Sequence, residues 1–294
     1  MGKWFRRILI ALLAVIFVLS AGRMWQIRRG YQASREVYDQ TAGEYTRPSE
    51  PSRAPGAETP FPENAGGKAQ QEEPTPENED AFPSTAPIEV DFDALSKINS
   101  DVIGWIYCED TVINYPVVWG RDNDFYLERN FYRRVDPSGT IFADAANLKG
   151  FYDNNTILYG HHMQDMSMFA TLKYWLEQDY YEAHPYMWLL TPEQDYRIDL
   201  IAGYVTAGDS ATFTVYRGGG DEFREYLREA LSKSEFRAPA QDEEIDAEAK
   251  YVMLSTCAYS FDLARTVLHG KLVPVESYHG EAQEPAPSDA EAAS

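Results

Sequence analysis

Cysteine is scarce in this chain. Only Cys108 and Cys257 occur among 294 residues. Two thiols cannot build the framework of a disulfide-stapled scaffold, and no CxxC pair points to zinc. No cluster of acids and histidines calls for a metal or another cofactor, and no internal repeat points to a solenoid or propeller. Basic residues are also in short supply, with 26 Lys and Arg against 47 Asp and Glu and a net charge of −21. Most of that excess lies between residues 89 and 279. A folded region so acidic repels phosphate backbones, which argues against nucleic acid as a partner. Apolar residues are not lacking. At 44% hydrophobic and 14% aromatic, the chain can fill a core and is not a disordered polymer.

There is a single long apolar run. It reads ILIALLAVIFVLSAG over residues 8–22, preceded by Lys3, Arg6 and Arg7. Fifteen residues are slightly few for a bilayer at 1.5 Å per residue. Trp4, Phe5, Met24 and Trp25 extend the run into the interfacial belt, and Arg23 can snorkel. A cleaved signal peptide and a retained signal anchor are both compatible with this pattern. The absence of a clean A-x-A site near Ser20-Ala21-Gly22 favours the anchor. Charge alone does not orient it, because Arg23, Arg28 and Arg29 follow the run and nearly balance the basic residues before it.

Nine of the 17 prolines fall in residues 41–88, among Glu, Ala, Gly and Ser. Such a composition resists collapse and reads as an extended spacer. The divisions that follow are a basic stub and anchor over 1–30, a Pro/Glu-rich spacer over 31–88, a folded domain over 89–279 and a disordered acidic tail over 280–294. Within the domain, residues 92–98 form a short helix. Runs rich in β-branched and aromatic residues, bounded by turn residues, predict strands at 104–107, 112–118, 140–142, 156–159, 187–191, 196–205, 251–255 and 266–275. Two amphipathic stretches interrupt them, one around 169–175 and one at 221–233. The second presents Phe223, Tyr226, Leu227, Ala230 and Leu231 on one face. Many short strands with few, peripheral helices imply a mostly β fold that closes into a barrel.

The chemistry-bearing residues sit at strand ends. Tyr251-Val252-Met253-Leu254-Ser255-Thr256 delivers Cys257 to a carboxyl end. Arg265 follows eight residues later and opens another apolar run. If that loop returns the chain as a neighbouring strand, a guanidinium is set beside the thiol. There it favours the thiolate and can stabilise an oxyanion. Ile157-Leu158-Tyr159-Gly160 ends in His161 and His162, and an imidazole can serve as general acid and base toward a thiol's leaving and incoming amines. Cys108 lies in a strand-like stretch, where a small buried residue is the default. His184, His269 and His279 have no motif partner and read as surface or packing residues.

These motifs together resemble the class B sortases. LSTC with Arg265 and RTVLHGKL is similar to the sortase signature. YGHHM with Met168-Phe169 is similar to the class B histidine motif. INYPVVWGRDNDFYLERNF, residues 113–131, and the helix inserted before the cysteine strand also look like class B. The resemblance covers about residues 90–275. It implies a closed eight-stranded β-barrel, a cysteine transpeptidase, and the roles of nucleophile for Cys257, proton-transfer residue for His161 and essential arginine for Arg265. It also implies that Asn123, Leu127, Ser255 and Thr256 line the groove for a C-terminal sorting signal. In class B that signal is NPxTN-like or related, and it is cleaved after Thr through a thioacyl-enzyme. The acceptor would be an amine of a cell-wall precursor or a pilin lysine. The resemblance places the catalytic domain outside the cell membrane and the N-terminus in the cytoplasm, with no cofactor required. His162 and Ala258 depart from residues common in the family. Two other functions fit the residues: a cysteine peptidase that only hydrolyses the signal, and a tethered binding module without catalysis.

Overall fold

A computed structural model describes residues 3–49, 82–257 and 264–277. The acidic tail, most of the Pro-rich segment, Ala258 and His279 lie outside them.

The first helix, α1 (Lys3–Tyr45), is continuous for 43 residues. Its apolar first half is exposed, whereas Ser34, Tyr38, Thr41 and Ala42 near its end are buried. Those positions are spaced by three or four residues and form one stripe. The stripe docks on the barrel through specific bonds. Ser34 Oγ donates to Asp136 at 2.5 Å, Tyr38 donates to the Gly139 carbonyl, and Thr41 meets the Tyr132 hydroxyl at 3.1 Å. Residues 31–45 are therefore a docked helix, not the start of a spacer. The stripe is small and polar, so hydropathy alone does not reveal it.

Two short strands follow, β1 (Thr46–Pro48) and β2 (Ile88–Val90), which pair antiparallel. The chain thus leaves at Ser49 and returns beside it, with Ser49 N donating to Pro87 O at 3.0 Å. The Pro-rich segment is bracketed in sequence by this ribbon. Helix α2 (Phe92–Ile98) comes next, capped by the Asp91 carboxylate on Ala94 N.

The barrel strands are β3 (Val102–Tyr107), β4 (Asn114–Trp119), β5 (Ile141–Ala143), β6 (Asn155–Tyr159), β7 (Tyr186–Leu190), β8 (Tyr196–Ala207), β9 (Tyr251–Cys257) and β10 (Ala264–Pro274). Each corresponds to a run expected from the sequence. They close in the order β10-β8-β7-β3-β4-β5-β6-β9, so no edge is left unpaired. Only β4–β5 and β6–β9 pair parallel among these neighbours. Trp105, Trp188, Ile106, Ile141 and Leu254 are almost fully buried in the core. The stretch Ala170–Leu176 winds as a 3-10 helix with Trp175 buried, and it is followed by the short α3 (Gln178–Ala183). Helix α4 (Asp221–Lys233) lies against β8 with Phe223, Tyr226, Leu227 and Ala230 buried, four of the five residues expected on its apolar face.

Candidate active site

Two strand ends build the site. In the ladder between β9 and β10, Cys257 is the register partner of Arg265, Thr256 of Thr266 and Ser255 of Val267. The eight-residue offset read from the sequence is thus a return along the neighbouring strand. The backbone of Cys257 belongs to β9, while its side chain lies outside the described structure. On its other edge β9 runs parallel to β6, with Ser255 opposite Tyr159.

Strand β6 stops at Tyr159, so Gly160, His161 and His162 lie in the turn beyond it. The turn is pinned at several points. Gly160 N donates to Ser255 O at 3.1 Å, Phe169 N donates to His161 O at 3.0 Å, and His162 bridges Met168. A Cβ at Gly160 would lie 2.5 Å from Ile141 and 2.7 Å from the Phe169 ring, so only glycine fits so close an approach.

His161 and Arg265 border one cleft of about 280 Å³. Asn123, Leu127, Ser255 and Thr256 line it as well, so the structure gathers around one cavity every described side chain that the sequence nominated. His161 Nε2 lies 2.6 Å from the Leu127 carbonyl oxygen. Asn123 Nδ2 donates to Asp144 at 3.1 Å, and its Oδ1 accepts from Ala145 N at 2.8 Å. The hydroxyls of Ser255 and Thr256 are buried and have no hydrogen-bond partner among the described residues.

Sequence reasoning missed three contributors. Tyr159 and Phe213 stack at 6.3 Å between centroids and line the cleft. Asp144 accepts from the Tyr159 hydroxyl at 2.8 Å as well as from Asn123, so one carboxylate holds two cleft side chains. Burial, followed by the Asp144 carboxylate, pushes the Tyr159 hydroxyl up, and Arg265 pulls it the other way. The only available signal for Asp144 was a carboxylate directly after a strand. Cys108, by contrast, is buried, and burial pushes its thiol up to about 12, which keeps it protonated and unreactive.

No family model matches the chain. Individual proteins do. Sortase B of Listeria monocytogenes is 34% identical over 181 residues, which cover 61% of this chain and 72% of that protein. The chain belongs to the class B sortases. Sortase B of Staphylococcus aureus is likewise 34% identical, over 63% of this chain and 75% of that one. The S. aureus sortase B–substrate complex superposes with a TM-score of 0.58 at 32% identity, covering 63% of this chain and 85% of that one. A crystal structure of sortase B complexed with triglycine gives 0.56 at 32% identity, covering 63% and 86%. The closed eight-stranded barrel described above is the class B sortase fold, and the chain is a cysteine transpeptidase by family.

Proposed function

We propose that this class B sortase cleaves a C-terminal sorting signal after Thr and transfers the protein to an amine, with Cys257, Arg265 and His161 as the catalytic residues. The observation that carries this assignment is the convergence of two strand ends on one cleft. Arg265 is the ladder partner of Cys257, and His161 borders the cavity that Arg265 lines. In the proposed reaction the Cys257 thiolate attacks the Thr carbonyl carbon. Arg265 N–H groups donate to the oxyanion that forms. The C–N bond breaks as the His161 imidazolium gives its proton to the leaving nitrogen, which leaves a thioacyl-enzyme. An incoming amine then attacks the thioester, His161 takes its proton, and the thiolate departs.

The sortase B complexes with substrate and with triglycine support a peptide donor and an amine acceptor for this chain also. The signal is expected to be NPxTN-like or related, and the amine to come from a cell-wall peptide or a pilin lysine. Asn123, Leu127, Ser255 and Thr256 are the proposed signal-binding residues. The catalytic unit is assigned to residues 89–279. Helix α1, whose apolar window has a mean hydropathy of 2.3, is long and apolar enough to cross a membrane. We assign it as the anchor, with the N-terminus cytoplasmic and the barrel outside.

The test is to incubate the full chain in detergent with a signal peptide, with and without a glycine peptide, and to follow the intact mass of enzyme and products. A thioacyl adduct that is absent in Cys257→Ala, together with a product carrying the amine, is expected. An adduct resolved only by water would make the enzyme a peptidase, and no adduct at all would leave a binding module.

A further inference from the structure

We propose that the barrel surface around residues 134–136 and 164–166 faces anionic phospholipid head groups, so that the cleft opens beside the bilayer. This rests on α1 being the membrane anchor.

The order of contacts along α1 orients the barrel. Arg29 covers the ring of Trp25 at 3.7 Å, and Arg28 and Arg29 are exposed, as suits an interfacial belt followed by head groups. If the apolar zone ends near Ile27, Ser34 stands about 10 Å further along a continuous helix rising 1.5 Å per residue. The head-group zone itself is roughly 5–7 Å deep on each side. Ser34 and Arg35 are therefore just above it, and they hold the barrel at this level. Ser34 bonds Asp136, and Arg35 donates to the Asp165 carbonyl at 2.6 Å and pairs with its carboxylate at 3.2 Å. Tyr38 and Thr41 reach Gly139 and Tyr132 higher up. The membrane side of the barrel is thus the side of Asp136 and Asp165.

Exposed residues flank those two acids. Arg134 and Val135 precede Asp136 and are exposed, Val135 at 82%. Gln164 is exposed and Met166 half-exposed around Asp165. A lone exposed valine requires no explanation. Arg134 and the exposed Val135 adjoin the residue that Ser34 holds just above the head groups, and a basic and an apolar side chain there are complementary to an anionic lipid surface. His161, which borders the cleft, lies on the same turn as Asp165, so the Arg35 contact also ties one wall of the cleft to the anchor helix.

The experiment places a fluorophore on the full chain through Val135→Cys in a Cys257→Ser background, with Glu225→Cys as comparison. Glu225 lies on α4, which packs on β8, three strands round the barrel from β4. The probes are phosphatidylcholine vesicles with and without phosphatidylglycerol, carrying a head-group nitroxide. The label at 135 should lose most of its emission, more so with phosphatidylglycerol, and the label at 225 should keep it. Vesicle-bound protein whose two labels respond alike would overturn the apposition while leaving the anchor intact. Protein that does not float with the vesicles would overturn the anchor and the apposition with it.

Discussion

His161 Nε2 sits 2.6 Å from the carbonyl oxygen of Leu127. A carbonyl can only accept, so Nε2 carries a proton in this arrangement and Nδ1 is the nitrogen that gains or loses one. A backbone atom thereby fixes the tautomer of the proposed acid–base residue. The position of that carbonyl depends in turn on Gly139.

Gly139 has φ +57°, and a Cβ there would lie 2.6 Å from the carbonyl oxygens of both Leu127 and Tyr126. Gly139→Ala is expected to cost at least about 1 kcal/mol from the left-handed backbone alone. It should also push the Leu127 carbonyl away from His161. Transpeptidation should therefore fall by more than the loss of folded protein explains. Urea midpoints and turnover measured on the same preparation test this, and a variant that is less stable but fully active would detach Leu127 from His161 function.

Arg265 is proposed to stabilise an oxyanion, a role that needs directed N–H donors as well as charge. Arg265→Ala is expected to lower kcat by roughly 10²–10³-fold, the range for removing one such donor. Arg265→Lys keeps the charge without the fork and should fall between that variant and the parent enzyme. If Arg265→Lys equals the parent, the role of the residue is charge alone.

The barrel was legible because each strand is a short β-branched or aromatic run ended by turn residues, as at Tyr251–Cys257. Cys257, Arg265 and His161 stood out as candidates because each ends or opens such a run, and the resemblance to class B sortases then joined them. Other features left no comparable trace. Asp144 works through two side-chain bonds to residues 21 and 15 positions away, Asn123 and Tyr159, so no local pattern announces it. Leu127 was nominated as a groove residue, but its bond to His161 is made by its carbonyl, which every residue has, so that contact left no trace. Residues 31–45 looked like a spacer because Arg35, Glu36, Asp39 and Glu44 break up any apolar run, while the docking stripe of Ser34, Tyr38, Thr41 and Ala42 is too polar to register as a hydrophobic face.

Asp144 should matter for signal binding more than for chemistry. Asp144→Ala releases both Asn123 and Tyr159, and the expected result is a KM for the signal peptide raised several-fold with a smaller change in kcat. Asp144→Asn can still accept from Tyr159 and should be milder. A kcat defect at unchanged KM would assign Asp144 to the reaction itself.

His269 gives the fold a dependence on acid. Its ring is buried, stacks on Tyr204 at 5.5 Å and shares a 3.1 Å bond with the Tyr204 hydroxyl. Burial first, and the charge of Lys233 second, lower its pKa from 6.5 to about 3. The unfolded chain therefore binds this proton below about pH 6.5, whereas the folded chain refuses it until about pH 3. Stability from this group is complete above pH 6.5 and declines as the pH falls toward 3, by about 1 kcal/mol per pH unit. His269→Gln should be less stable at pH 7.5 but lose less between pH 7 and 4.5, as read by urea unfolding. Parallel pH profiles for parent and variant would exclude His269 as the cause.

The docked end of α1 predicts where the chain can be shortened. Removing residues 1–30 takes away only the exposed apolar half of the helix and should leave a stable barrel. Removing residues 1–45 strips the buried stripe as well. Tyr38 is 3% exposed and meets Tyr115 edge to face at 5.4 Å, and the Tyr115 hydroxyl accepts from Met168 N at 3.0 Å, beside the histidine turn. Burying one such ring is worth about 2–3 kcal/mol. The shorter protein should therefore have a clearly lower urea midpoint, and the 161–168 turn should exchange its amide hydrogens faster. Met166 and Met168 hold positive φ values of 65° and 57° in that turn, a conformation that persists only while its surroundings impose it. Turnover should fall with the loss of protection. Equal midpoints and equal exchange in the two truncations would mean that α1 touches the barrel without supporting it.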